Sequence, residues 1–159
     1  MLEMLSSHIS RAEFEYSAIA NASNISNAMP DLLVPAAEAL CRYVLEPIRA
    51  YFDRPLVINS GYRSPRLNRM LGSKASSQHC RGEAADIEFA DGPDNAELAH
   101  WILTSGLPFD QLILESYQAG RRRSGWVHVS HAFARAPRRQ ALTMTLVPHG
   151  AAYTSGLRA

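Results

Sequence analysis

Two cysteines, Cys41 and Cys80, are all that the 159 residues contain. That is too few for a disulfide framework, and they are not spaced as a metal-binding pair. A single bridge between them stays open, with nothing in the sequence to support it. No run of about 18 apolar residues occurs, so no membrane insertion is expected. The opening MLEMLSSHISRAEFEYS carries early acids and no continuous apolar stretch, so it does not read as a secretion signal, and synthesis in the cytoplasm is expected. Charge of one sign is also missing: 16 Lys+Arg face 15 Asp+Glu, a net charge of +1, which leaves no global field to attract nucleic acid. Any basic surface is local. Arg121, Arg122 and Arg123, with Arg135, Arg138 and Arg139, read first as solvated loop charge and second as an attraction for anionic polymer.

What is present is ordinary globular composition, 47% hydrophobic and 19% charged, at a length suited to one domain. A monomer is expected. The reading divides residues 1–159 into a helical N-terminal part (1–54), a core that carries the chemistry (55–131) and a C-terminal extension (132–159). Ser10 with Glu13 forms a capping-box pattern and predicts a helix from about Arg11 to Ala20. Leu33, Ala37, Leu40, Cys41, Val44, Ile48 and Tyr51 recur at helical steps, with Pro47 set to kink or interrupt that helix. PLVINSGYRS reads as a strand, and Ser64-Pro65 as the start of a short helix closed by Gly72. SKASSQHCRG is a polar loop. EAADIEFA alternates, with Ala84, Asp86 and Glu88 on one face. Asp94 and Glu97 cap another helix, ended by Gly106. FDQLILES and GWVHVSH suggest an antiparallel hairpin, Leu142 to Val147 a further strand, and the closing PHGAAYTSGLRA a loose tail. The expected fold is α+β, a small antiparallel sheet flanked by helices.

His79, Asp86 and His128 stand out as metal ligands, because a catalytic zinc site needs three protein donors and one open position. Spacing alone is weak support, since the chain has six histidines; His8, His100, His131 and His149 read as packed or solvated. The string Ser77-Gln78-His79-Cys80-Arg81-Gly82-Glu83-Ala84-Ala85-Asp86 fits SxHxxGxAxD at all five fixed positions. It resembles the zinc D-Ala-D-Ala carboxypeptidase family, which includes vancomycin-resistance dipeptidases and phage endolysins and shares its fold with the hedgehog signalling domain. The likeness continues in INSGYRSPRLN and GWVHVS, spanning about Ile25 to Ser130.

The resemblance implies one Zn2+ held by His79, Asp86 and His128, with Arg63 on the substrate carbonyl or developing oxyanion. It implies roles for Ser77 and Gln78 in the ligand loop, for Asn68 on the loop backbone and for Trp126 beside the site. Many relatives carry ExxH at the last ligand, with Glu as general base, but here Gly125 stands three residues before His128. Glu115 is the expected base, because a branch of the family with QLIxE before WVHVS places its acid on the neighbouring strand. Glu83 and Glu88 are the reserves, and a solvated Glu115, or one paired with Arg121 to Arg123, is the bland reading. The implied activity is hydrolysis of peptide bonds in peptidoglycan, released to the wall by phage lysis or carried in a virion, or a cytoplasmic dipeptidase. The rival is a zinc-stabilised binding or structural module without catalysis. A serine or cysteine protease fits less well, since Cys80 and His79 are chain neighbours whose side chains point apart.

Overall fold

The computed structural model describes residues 3–121 and 123–158, so Arg122 of the suggested basic patch lies outside the described residues. The predicted first helix is two, α1 (Arg11–Glu15) and α2 (Ala18–Ala22), because Ser17 starts a new helix by accepting from the Ala20 N–H at 3.2 Å. The long apolar stripe forms α3 (Val34–Leu40) and α4 (Glu46–Phe52), joined without a break by a wider π-helical turn over Cys41–Leu45. Pro47 therefore does not interrupt the helix. The widened turn precedes it and relieves the crowding that its ring imposes on the turn before. Ser64 caps α5 (Pro65–Met70), and Asp94 caps α6 (Asn95–Thr104), as the local chemistry predicts.

Among the described residues six strands form one sheet: β1 (Val57–Ser60), β2 (Ala84–Glu88), β3 (Gln111–Glu115), β4 (Trp126–Ser130), β5 (Gln140–Val147) and β6 (Gly150–Ser155). Their order is β1-β2-β4-β3-β5-β6, so the fold is α+β as expected. The closing segment is not loose, since β6 pairs along β5 from Val147↔Gly150 to Leu142↔Ser155. One pairing departs from an all-antiparallel sheet, because β5 runs parallel to β3. β4 ends beside the start of β3, and the chain from 131 to 139 crosses that end to enter the far edge, which dictates the direction of β5.

Alternate strand residues build the core. Ala85, Ile87, Leu112, Leu114, Val127 and Val129 are buried with Leu98 and Ile102 of α6 and Leu40, Val44 and Ile48 of the long helix. Strand alternation then places Asp86, Ile113, Glu115, Trp126 and His128 on the opposite face. A register shift between Ile58 and Ser60 brings Ser60 opposite Asp86. Both cysteines are free, Cys41 buried and Cys80 half-buried. Among the described residues no helix is long and apolar enough to cross a membrane.

The 131–139 crossing explains the basic residues near it. Arg135 and Arg138 both grip the fully buried Asp110 carboxylate, at 2.6 Å each, and the Arg138 N–H donates to it at 2.8 Å. Arg139 lies 4.8 Å over the Phe109 ring. These three arginines brace the chain while staying exposed to solvent.

Two predictions follow from this framework. Gly125 has φ +66, and a Cβ there would lie 1.9 Å from the Glu115 carbonyl oxygen. A left-handed backbone costs a non-glycine residue about 1–2 kcal/mol and overpacking adds about 1–3 kcal/mol, so Gly125→Ala lowers Tm by on the order of 10 °C in calorimetry. Asp110→Asn removes charge-assisted bonds to two half-exposed arginines and destabilises by about 2 kcal/mol at neutral pH. Burial opposes the Asp110 charge, but hydrogen bonds from Arg135 and Arg138 hold its carboxyl well below the ordinary range. A carboxyl depressed in the folded state stabilises above its unfolded value, and that stabilisation fades as acid protonates it. The gap between wild type and Asp110→Asn in urea titrations therefore narrows below about pH 4.

Candidate metal centre

Antiparallel pairing sets Asp86 of β2 directly opposite His128 of β4, with both side chains on the face away from the core. His79 arrives from a single tight turn, Gln78–Arg81, ended by Gly82 at φ 69. All three side chains are buried. Asp86 Oδ1 is 3.0 Å from His128 Nδ1 and 3.3 Å from His79 Nε2, and the two ring nitrogens are 3.2 Å apart. Donors about 2.0–2.1 Å from a tetrahedral ion stand about 3.3 Å from one another, so this triangle has the dimensions of three corners of a zinc site. Among the described residues no fourth His, Cys, Asp or Glu joins the group. The donor chemistry and the spacing both fit a single zinc ion.

The surroundings orient each donor. The Gly61 carbonyl lies 2.7 Å from His79 Nδ1. A carbonyl only accepts, so Nδ1 carries the proton and the Nε2 lone pair points into the triangle. Gly61 also lets the chain pass close to α1, since a Cβ there would lie 2.4 Å from the Phe14 carbonyl oxygen. Burial, foremost, pushes the His79 pKa below its ordinary value, which favours the neutral ligand form. Burial acts against the Asp86 charge, but His79 and His128 outweigh it and hold that carboxyl far below the usual range. Arg63 Nη2 donates to the outer oxygen, Asp86 Oδ2, while its Nε donates to Ser60 Oγ at 2.8 Å. Arg63 thus sits at the site with its charge against a ligand carboxylate, and its Nη1 makes no hydrogen bond among the described residues.

Glu115 ends β3 opposite Trp126, which puts it diagonal to His128 on the same face. Burial, then the nearby Asp86 charge, pushes its carboxyl up to about 7. Among the described residues no hydrogen bond or ion pair joins it to Arg121 or Arg123. The reserves are engaged elsewhere: Glu83 accepts from Arg81 at 3.0 Å and Gln78 at 3.2 Å, and Glu88 from Asn59 at 3.1 Å. Gly125 leaves no room for any side chain, which explains physically why a glutamate cannot occupy the position three before His128.

The remaining predicted residues mostly hold the ligand loop. Asn68 is buried, with its amide donating to the Ser73 and Lys74 carbonyls at 3.3 and 2.9 Å. Gln78 bridges Glu83 and Arg138, accepting from Arg138 Nη2 at 3.2 Å. The Ser77 carbonyl accepts from Cys80, closing the turn, and its hydroxyl makes no cap. Trp126 is half-buried on the metal face. Sequence reasoning missed Ser60, Gly61 and Arg138 as supports. Ser60 and Gly61 stand inside the quoted INSGYRS segment, but a carbonyl that aims an imidazole leaves no residue-type signature.

The sequence model of the Peptidase M15 family matches residues 7–130. The match covers α1 through β4 and stops short of β5 and β6. No curated protein matches the chain. Spanning most of the sequence and both segments that converge on the ligand triangle, the match shows that this chain belongs to the Peptidase M15 family, the zinc D-Ala-D-Ala carboxypeptidase-like peptidases.

Proposed function

We propose that the protein is a zinc-dependent hydrolase of peptide bonds in bacterial peptidoglycan, acting at D-Ala-D-Ala or a comparable linkage. The observation that carries this reading is the buried His79–Asp86–His128 triangle with a carboxylate, Glu115, on the same sheet face. The peptidoglycan substrate rests on the resemblance of SxHxxGxAxD and its flanking segments to wall-cutting relatives. The same reading puts the enzyme at the cell wall after phage lysis or release from a virion.

His79 Nε2, Asp86 Oδ1 and His128 Nδ1 would hold the ion. When bound, zinc supplies Lewis acidity to a peptide carbonyl and makes water easier to deprotonate near neutral pH. Glu115 then acts as general base, taking a proton from the attacking water and returning it to the departing amine. Arg63 offers Nη1 to the oxygen that becomes negative as the carbonyl turns tetrahedral, while Nη2 keeps Asp86 aligned. The path needs no covalent acyl-enzyme.

Purified protein should carry one zinc per chain by elemental analysis, and His79→Ala should lose it. Glu115→Gln keeps the zinc and cuts turnover by about 10²–10⁴-fold. The assay is digestion of purified peptidoglycan, with mass spectrometry of the released ends. A zinc-loaded protein that releases no peptide or amino acid overturns the hydrolase reading in favour of a binding module. Zinc binding unchanged by His79→Ala overturns the ligand assignment.

A further inference from the structure

The strands beyond the matched region continue the metal face. In-register partners share a face, and two rows of partners cross the sheet. One runs Asp86–His128–Ile113–Leu142–Ser155, and the next runs Trp126–Glu115–Met144–Tyr153. Tyr153 of β6 is therefore in line with Glu115, two strands or roughly 10 Å away at the Cα. Met144 between them is nearly buried, while Tyr153 is 56% exposed and Leu146, on the same face, 73% exposed. The Tyr153 hydroxyl makes no hydrogen bond among the described residues. Burial first, then the charges of Glu115 and Asp86, raises the Tyr153 pKa, so the phenol is a neutral donor within electrostatic reach of both carboxylates. The opposite side of the hairpin is tied down, since Thr143 Oγ1 donates to the Gly156 carbonyl and accepts from the Arg158 N–H, each at 2.8 Å.

The geometry points to Tyr153 as a substrate-contacting residue that, with Leu142 and Met144 as floor, forms a subsite for an apolar side chain of the peptide. This rests on the reading of the site as a peptidase. A peptide whose scissile bond lies over the ligand triangle advances about 3.3 Å per extended residue, so a residue about three places away overlies Met144 and one about four places away overlies Tyr153. Glu115 and Tyr153 stand about 10 Å apart on either side of β5, whose Met144 lies between them on the same face and gives the space an apolar base. No cationic side chain belongs to the two rows, so an acidic residue gains no partner there. The phenolic O–H donates to a backbone carbonyl of the bound peptide.

The test uses the zinc-loaded full chain and a soluble peptidoglycan stem pentapeptide. Kinetics are measured in the wild-type background, and calorimetric binding in the Glu115→Gln background, where the peptide survives. Tyr153→Ala should raise KM and Kd about tenfold with kcat changed less than about twofold, and Tyr153→Phe should raise them about threefold, as loss of one neutral hydrogen bond does. Thr154→Ala, on the other face of β6, should match wild type. Zinc content and Tm confirm the fold, and Tyr153→Phe decides if Tyr153→Ala does not fold. An active enzyme whose KM and Kd ignore both Tyr153 substitutions, or respond equally to Thr154→Ala, overturns the subsite alone. Absence of both cleavage and binding in the parent proteins overturns the peptidase reading, and the subsite with it.

Discussion

The face-to-face pairing of Asp86 with His128 across β2 and β4 is the constraint on which the site depends. Strand side chains alternate, so a slip of one residue in that register would send one ligand into the core and leave the other outside. The apolar partners prevent the slip. Ala85, Ile87, Val127 and Val129 occupy the alternate positions and are buried against α6 and the long helix. Core packing and ligand placement are thus two faces of one register.

Buried carboxylates do related work at two places in the molecule. Asp86 gives one oxygen to the histidines and the other to Arg63. Asp110 binds Arg135 and Arg138, and Arg138 extends that network to Gln78, the residue before His79. A buried charge survives only with close partners. In both cases the partner is an arginine from a distant stretch of chain, so each pairing also tethers a loop. The crossing at 131–139, which lets β5 run beside β3, and the turn that presents His79 are linked through this second cluster.

Much of the candidate site was legible because zinc chemistry restricts residue types and the SxHxxGxAxD string is dense with fixed positions. Asp86 on an alternating strand, the hairpin and the helix starts at Ser64 and Asp94 all followed from local rules. What escaped depends on tertiary contact. The break at Ser17, where a hydroxyl competes for backbone donors, has the same composition as a helix interior. The π-helical turn ahead of Pro47 needs knowledge of how the long helix is packed. β6 contains Gly150, alternating small residues and a single tyrosine, a weak strand pattern that becomes one only when β5 offers a partner. The arginines near 135–139 are solvent-facing, as their loop composition suggests, and only the fold shows that two of them also pair with the buried Asp110.

Gly125 has a mechanical corollary. Because its backbone excludes a side chain, the proposed general base Glu115 and the candidate ligand His128 belong to separate strands, β3 and β4, and not to one short turn. Their relative position is then set by the four pairings from Leu112↔Val129 to Glu115↔Trp126. Under the proposed mechanism, shear between the two strands would disengage Glu115 with His79, Asp86 and His128 still in place. On that proposal, the stiffness of this hairpin tunes turnover independently of metal affinity.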